Sequence, residues 1–111
     1  MQFILKDQGK SYTPSGHDAE VVSRSIYKKA LDIHETTFPP KAGMREEIHE
    51  HESHVFVVLE GEMEVLQDNT LIQVLNKNDA VYIPAGERHE IRNVSDSNLV
   101  FLAITFPEEN K

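Results

Sequence analysis

The sequence predicts an all-β domain. Short apolar or alternating runs recur from Leu31 to Phe106, turn-forming residues separate them, and only residues 21–30 admit a helical reading. At 111 residues the chain is one domain with a single modest core.

Residues 1–20 carry the weakest signal, and the stretch from Ser11 to His17 reads as loop. Residues 21–30 are ambiguous. Asp18 could cap a helix in which Val22, Ile26 and Ala30 share a face. The same residues could form a strand, which is preferred because everything after them is β. Leu31–Phe38 is strand-like and stops at Pro39 and Pro40. Glu47–His51 reads as a short polar strand. Val55–Leu59 is apolar throughout and is expected to be buried on both faces. Met63–Gln67 and Leu71–Leu75 flank Asp68 and Asn69, a tight hairpin because Asn tolerates positive φ. Ala80–Ile83 ends at Pro84, and Glu90–Val94 and Leu99–Phe106 close the series. Many short strands at this spacing mean a sandwich or a closed barrel. Residues 1–30 are expected to form a strand-and-loop extension packed on a barrel built from residues 31–106.

Composition excludes several function classes. The net charge of −8 argues against nucleic acid, which wants a basic patch, and against anionic membrane surfaces. No stretch approaches the roughly 20 apolar residues of a membrane span. The start, Met1 to Asp7, is not a signal peptide, so the default expectation is a cytoplasmic protein. The absence of cysteine removes disulfides, thiolate ligands and cysteine nucleophiles. Any metal must therefore be held by nitrogen and oxygen.

The residues with chemistry are histidines. His49, His51 and His54 fall close together, Gly61 follows, and His89 sits five residues after Pro84. Four imidazoles on β-structure can converge on one cation, and neutral imidazole binds transition metals at about 2.0–2.2 Å. Glu46, Glu47, Glu50 and Glu52 crowd the cluster and should concentrate divalent cations. On a strand, His49 and His51 share a face. His54 then needs a bend at Glu52 and Ser53 to join them. Pro84 to Gly86 suits a type I turn, with Pro second and Gly fourth, that would deliver His89 to the start of a strand.

The same alternation puts Arg45 and Glu47 on the side of His49 and His51. Arg45 could hold a substrate carboxylate or phosphate, and Glu47 could move protons. The preferred alternative is a rim salt bridge between them, or solvated side chains. His17 and His34 match no motif and read as ordinary surface or strand residues.

The two segments together resemble the cupin family, over roughly residues 31 to 106. Gly43, His49, His51 and Gly61 fit the first of the family's two motifs, and Pro84, Gly86, His89 and Asn93 fit the second. The chain departs at three places. His54 stands at the family's glutamate, the gap after His51 is two residues rather than three or four, and Asn78 replaces the second motif's opening glycine. Asn is the next-best residue for a left-handed turn.

The resemblance implies a double-stranded β-helix, or jelly-roll, barrel. It implies a four-histidine metal site formed by His49, His51, His54 and His89, holding a divalent transition metal: zinc, nickel, manganese, iron or copper. It also implies a small-molecule ligand or substrate and a homodimer. Two functions follow. One is a metal-dependent enzyme, of dioxygenase or isomerase type, acting on a small oxygen-rich substrate. The other is a non-catalytic module that binds or senses a small molecule or sugar.

Overall fold

The computed structural model describes residues 1–108. They form β1 (Ser11–Tyr12), β2 (Val22–Lys28), β3 (Asp32–Phe38), β4 (Glu52–Glu60), β5 (Met63–Gln67), β6 (Thr70–Leu75), β7 (Ala80–Ile83), β8 (Glu90–Arg92) and β9 (Leu99–Pro107), with no helix among the described residues. One sheet runs β1-β2-β3-β9-β4-β7 and the other β6-β5-β8, and the named strand pairs are antiparallel. The sheets face each other as a β-sandwich of jelly-roll type rather than closing into one hydrogen-bonded ring. Isolated bridges Gly43↔Arg92 and Glu47↔His89 link the connecting segments to the small sheet.

The core lies between the layers. Phe38, Phe56, Val58, Leu99 and Phe101 meet Met63, Val65, Leu75 and Ile91 from the opposite sheet. Alternation explains the inward faces. On β4, Phe56 and Val58 are buried whereas Val55, Val57 and Leu59 are only half-buried. The expectation that Val55–Leu59 is buried on both faces is therefore corrected: among the described residues no second layer covers the outside of the large sheet. Residues 22–28 are strand, with a bulge between Ser25 and Tyr27.

Turns follow backbone preference. Asp68 and Asn69 both have positive φ, 50° and 62°, as a two-residue hairpin of primed type requires. Asn78 takes φ 75°. Gly61, at φ 83°, lies so close to the next strand connection that a Cβ there would sit 2.3 Å from the Asn98 carbonyl oxygen.

Register places the side chains that matter. Reading across β3, β9 and β4, the inward rows are Asp32–Thr105–His54, then His34–Ala103–Phe56, then Thr36–Phe101–Val58. The first row sits at the open end of the sandwich, and the later rows lead into the core.

Candidate metal centre

His54 belongs to the inward face of β4 and is buried. Its Nδ1 is 2.8 Å from Thr105 Oγ1 on the neighbouring strand, and its Nε2 is buried with no hydrogen-bond partner. His89 arrives by a different route. Glu87 N–H donates to the Pro84 carbonyl at 3.2 Å, and Gly86 has φ 87°. The turn is thus type II, with Pro first and Gly third, rather than the expected type I with Pro second. Positive φ at the third position is what a type II turn demands of glycine. His89 then exchanges two backbone hydrogen bonds with Glu47, of 2.8 and 3.0 Å. Its Nδ1 lies 3.2 Å from the Glu87 carbonyl oxygen, which fixes the proton on Nδ1 and the lone pair on Nε2.

His49 lies in the irregular segment before β4, where its carbonyl accepts from Gly86 N–H at 2.8 Å. Its Nε2 donates to Glu47 Oε2 at 2.9 Å, leaving the lone pair on Nδ1. The ring centroids are 4.7 Å apart for His49 and His54, 5.5 Å for His54 and His89, and 5.7 Å for His49 and His89. One nitrogen from each of the three histidines lies within 4.8 Å of the others.

His51 is exposed and lies outside this trio. The expected strand over Glu47–His51 does not form. Glu50 and His51 make a bend, and β4 begins at Glu52, so the two-residue parity that would align His51 with His49 does not operate. His51 presents its carbonyl to Glu108 N–H at 3.0 Å. Arg45 is likewise exposed, its N–H donating to the Gly16 carbonyl at 2.8 Å. Glu47 faces the histidines, with Oε1 3.9 Å from His17 Nδ1. Its partners are histidines on both sides rather than the expected Arg45.

The electrostatics follow from burial and from Glu47. Burial pushes the His54 imidazole down to about 4, helped by neighbouring His49 and His89. Burial also lowers His89. His49 is raised by its hydrogen bond to Glu47, against the effect of burial. Burial alone would raise the Glu47 carboxyl, but the hydrogen bond from His49 and the nearby histidines outweigh it, and the net shift is downward. At neutral pH His54 and His89 are therefore uncharged, which is the ligand form of imidazole.

These residues fit a divalent transition metal. Each ring has one nitrogen in a hydrogen bond to an oxygen, the pattern of outer partners that orients metal-binding histidines. The orphaned Nε2 of His54 is a buried polar atom open to a partner from the cavity, a metal ion or a water.

The cavity beside the trio has a volume of about 440 Å³, in the range of small-molecule sites. Its apolar wall includes Phe56, Ile91, Phe101 and Met44. Tyr12, His17 and His34 also line it, although the sequence pattern alone places them in loop, surface or ordinary strand.

A family model described as "Cupin domain" matches residues 34–105. The chain belongs to the cupin family. Solved structures share its fold. A predicted oxalate decarboxylase from Thermotoga maritima aligns with TM-score 0.83 and 19% identity, over 96% of this chain and 100% of that one. The polyketide cyclase RemF from Streptomyces resistomycificus aligns with TM-score 0.82 and 22% identity, over 96% and 79%. An RmlC-like cupin from Shewanella frigidimarina aligns with TM-score 0.75 and 21% identity, over 100% and 94%. No curated protein matches this cupin's sequence.

Proposed function

We propose that this cupin is a metal-dependent enzyme of dioxygenase or isomerase type, acting on a small oxygen-rich substrate in the cavity above His49, His54 and His89. The observation that carries the reading is the buried, unpartnered Nε2 of His54 within a trio of converging imidazoles. A bound divalent transition metal would supply Lewis acidity toward a substrate oxygen.

The chain's own residues do the rest. Thr105 and the Glu87 carbonyl hold the rings of His54 and His89 in place. Glu47 orients His49 and can accept a proton released by the substrate. Phe56, Ile91 and Phe101 exclude bulk water from the inner wall.

Two coupled measurements test this. Elemental analysis after loading with zinc, manganese, nickel or ferrous iron should give one metal per chain, and His89→Ala should lose it. The loaded protein should then consume dioxygen, or interconvert isomers, with a hydroxy-ketone or diketone panel. Stoichiometric metal without turnover of any member would favour the non-catalytic binding module. Absence of metal would refute the centre.

A further inference from the structure

Ser53 and Glu108 do not line the cavity, yet they tie together the segments that carry the three histidines. On β4, Ser53 alternates with inward His54 and so points to the outer face of the large sheet, where it is nonetheless 0% exposed. His54 pairs with Ile83, so the register sets Ser53 opposite Pro84. Proline has no N–H to give, and the β4–β7 ladder ends there. The next N–H, that of Ala85, donates instead to Ser53 Oγ at 2.9 Å.

A hydroxyl has one proton, and that of Ser53 goes to Glu108 Oε1 at 2.6 Å. The lone pairs of Ser53 Oγ are thereby left for Ala85. Glu108 also accepts from the Tyr82 hydroxyl, and its own N–H donates to the His51 carbonyl at 3.0 Å. The residue after β9 thus clasps the start of β4 on both sides of Glu52. The turn caught by Ser53 in its turn holds the other two histidines. Gly86 N–H donates to the His49 carbonyl, and the Glu87 carbonyl orients the His89 ring.

We infer that Ser53, oriented by Glu108, is a positioning residue that sets His54 against the turn holding His49 and His89. The inference rests on the metal centre proposed above. It adds that the geometry of that centre is governed from outside the cavity, at the end of β9.

Zinc competition with a chelating dye tests it. Ser53→Ala leaves the Ala85 N–H without its acceptor and should weaken zinc binding about 10-fold, as loss of an outer partner does. Glu108→Ala should weaken it about fivefold, the worth of one hydrogen bond. Glu108→Gln keeps the acceptor oxygen and removes the charge, and it should restore the wild-type affinity. Glu108 is exposed, so its variants test the link even if Ser53→Ala does not fold. Ser23→Ala is the control. It too removes a fully buried hydroxyl from the large sheet, one bonded to Thr36 at 2.6 Å in the deep row, and it should leave zinc binding unchanged. Wild-type affinity in Ser53→Ala, a Glu108→Gln as weak as Glu108→Ala, or an equal loss in Ser23→Ala would overturn the inference.

Long-range proton–nitrogen spectra of the metal-free protein need no zinc. Wild-type His89 should carry its proton on Nδ1, and Ser53→Ala should mix the two ring tautomers as the Glu87 carbonyl moves from Nδ1. An unaltered His89 tautomer in Ser53→Ala also overturns the inference. A wild type that binds no zinc refutes the metal centre alone, provided the tautomer changes in Ser53→Ala and not in Ser23→Ala.

Discussion

The two ends of the sandwich are built from the same three strands and have opposite characters. At the closed end the inward row is Thr36, Phe101 and Val58, and nothing in it titrates. Two rows toward the mouth, the same positions hold Asp32, Thr105 and His54. The alternation of the strands is identical in both rows, so the backbone does not distinguish them. What differs is what stands opposite. The deep row faces the apolar residues of the small sheet, Met63, Val65 and Ile91. The mouth row faces His49 and His89, carried by irregular segments that lock together through Glu47 and Gly86. Apolar packing dominates one end and titratable side chains the other, although Phe101 and Ile91 also line the inner wall of the cavity, and substitutions should weigh differently on stability and on metal binding.

The largest effect on stability belongs to the closed end. Phe101 is 3% exposed and packs against Phe38 and Phe56, so Phe101→Ala should cost about 3–5 kcal/mol in urea unfolding. At the mouth, His54→Ala should instead weaken zinc binding by more than about 100-fold, beyond the range typical of outer partners. Competitive titration with a chelating dye measures it. The loss in folding stability should be smaller than for Phe101→Ala.

Acid should act on the mouth selectively. His54 titrates near 4 in the folded chain against an ordinary 6.5, so between those values the unfolded chain binds more protons. The metal-free protein should therefore lose stability as pH falls from 6.5 to 4, with His89 contributing in the same direction. His49, raised by Glu47, opposes this: its contribution is complete below 6.5 and fades as pH rises through its elevated value. His54→Gln should flatten the acid decline in melting temperature, and an unchanged decline would place its cause elsewhere. A smaller effect is expected from Thr105→Val, which removes the hydroxyl at His54 Nδ1 while keeping the strand. Zinc affinity should drop about 10-fold with little change in the melt.

Much of this contrast is legible in the sequence. Inward alternation on β4 can be read from Phe56 and Val58, the hairpin from Asp68 and Asn69, and the left-handed turn from Asn78. The approach of His49, His54 and His89 is harder to read, because it depends on pairings distant in the chain. His51 illustrates why. Parity is a property of extended strand, and the bend at Glu50 and His51 cancels it over the residues where it was applied. His34 shows the converse. It alternates with buried Thr36 and Phe38, so its inward direction was available from the strand pattern. That it would line a cavity was not, since this depends on β9 placing the small Ala103 beside it. Glu47 stands two residues from His49, within reach of a local pattern, whereas its other partner, His17, comes from the N-terminal segment, which no local pattern links to it.

A bound zinc is expected to meet the three imidazoles of His49, His54 and His89, with His51 outside the shell. X-ray absorption spectroscopy of the zinc-loaded protein counts bound imidazoles directly. Wild type and His51→Ala should give the same spectrum, with three imidazoles and oxygen completing the shell, and both should bind one zinc. A wild-type spectrum fitted by four imidazoles that falls to three in His51→Ala would place His51 in the shell and overturn the three-imidazole centre.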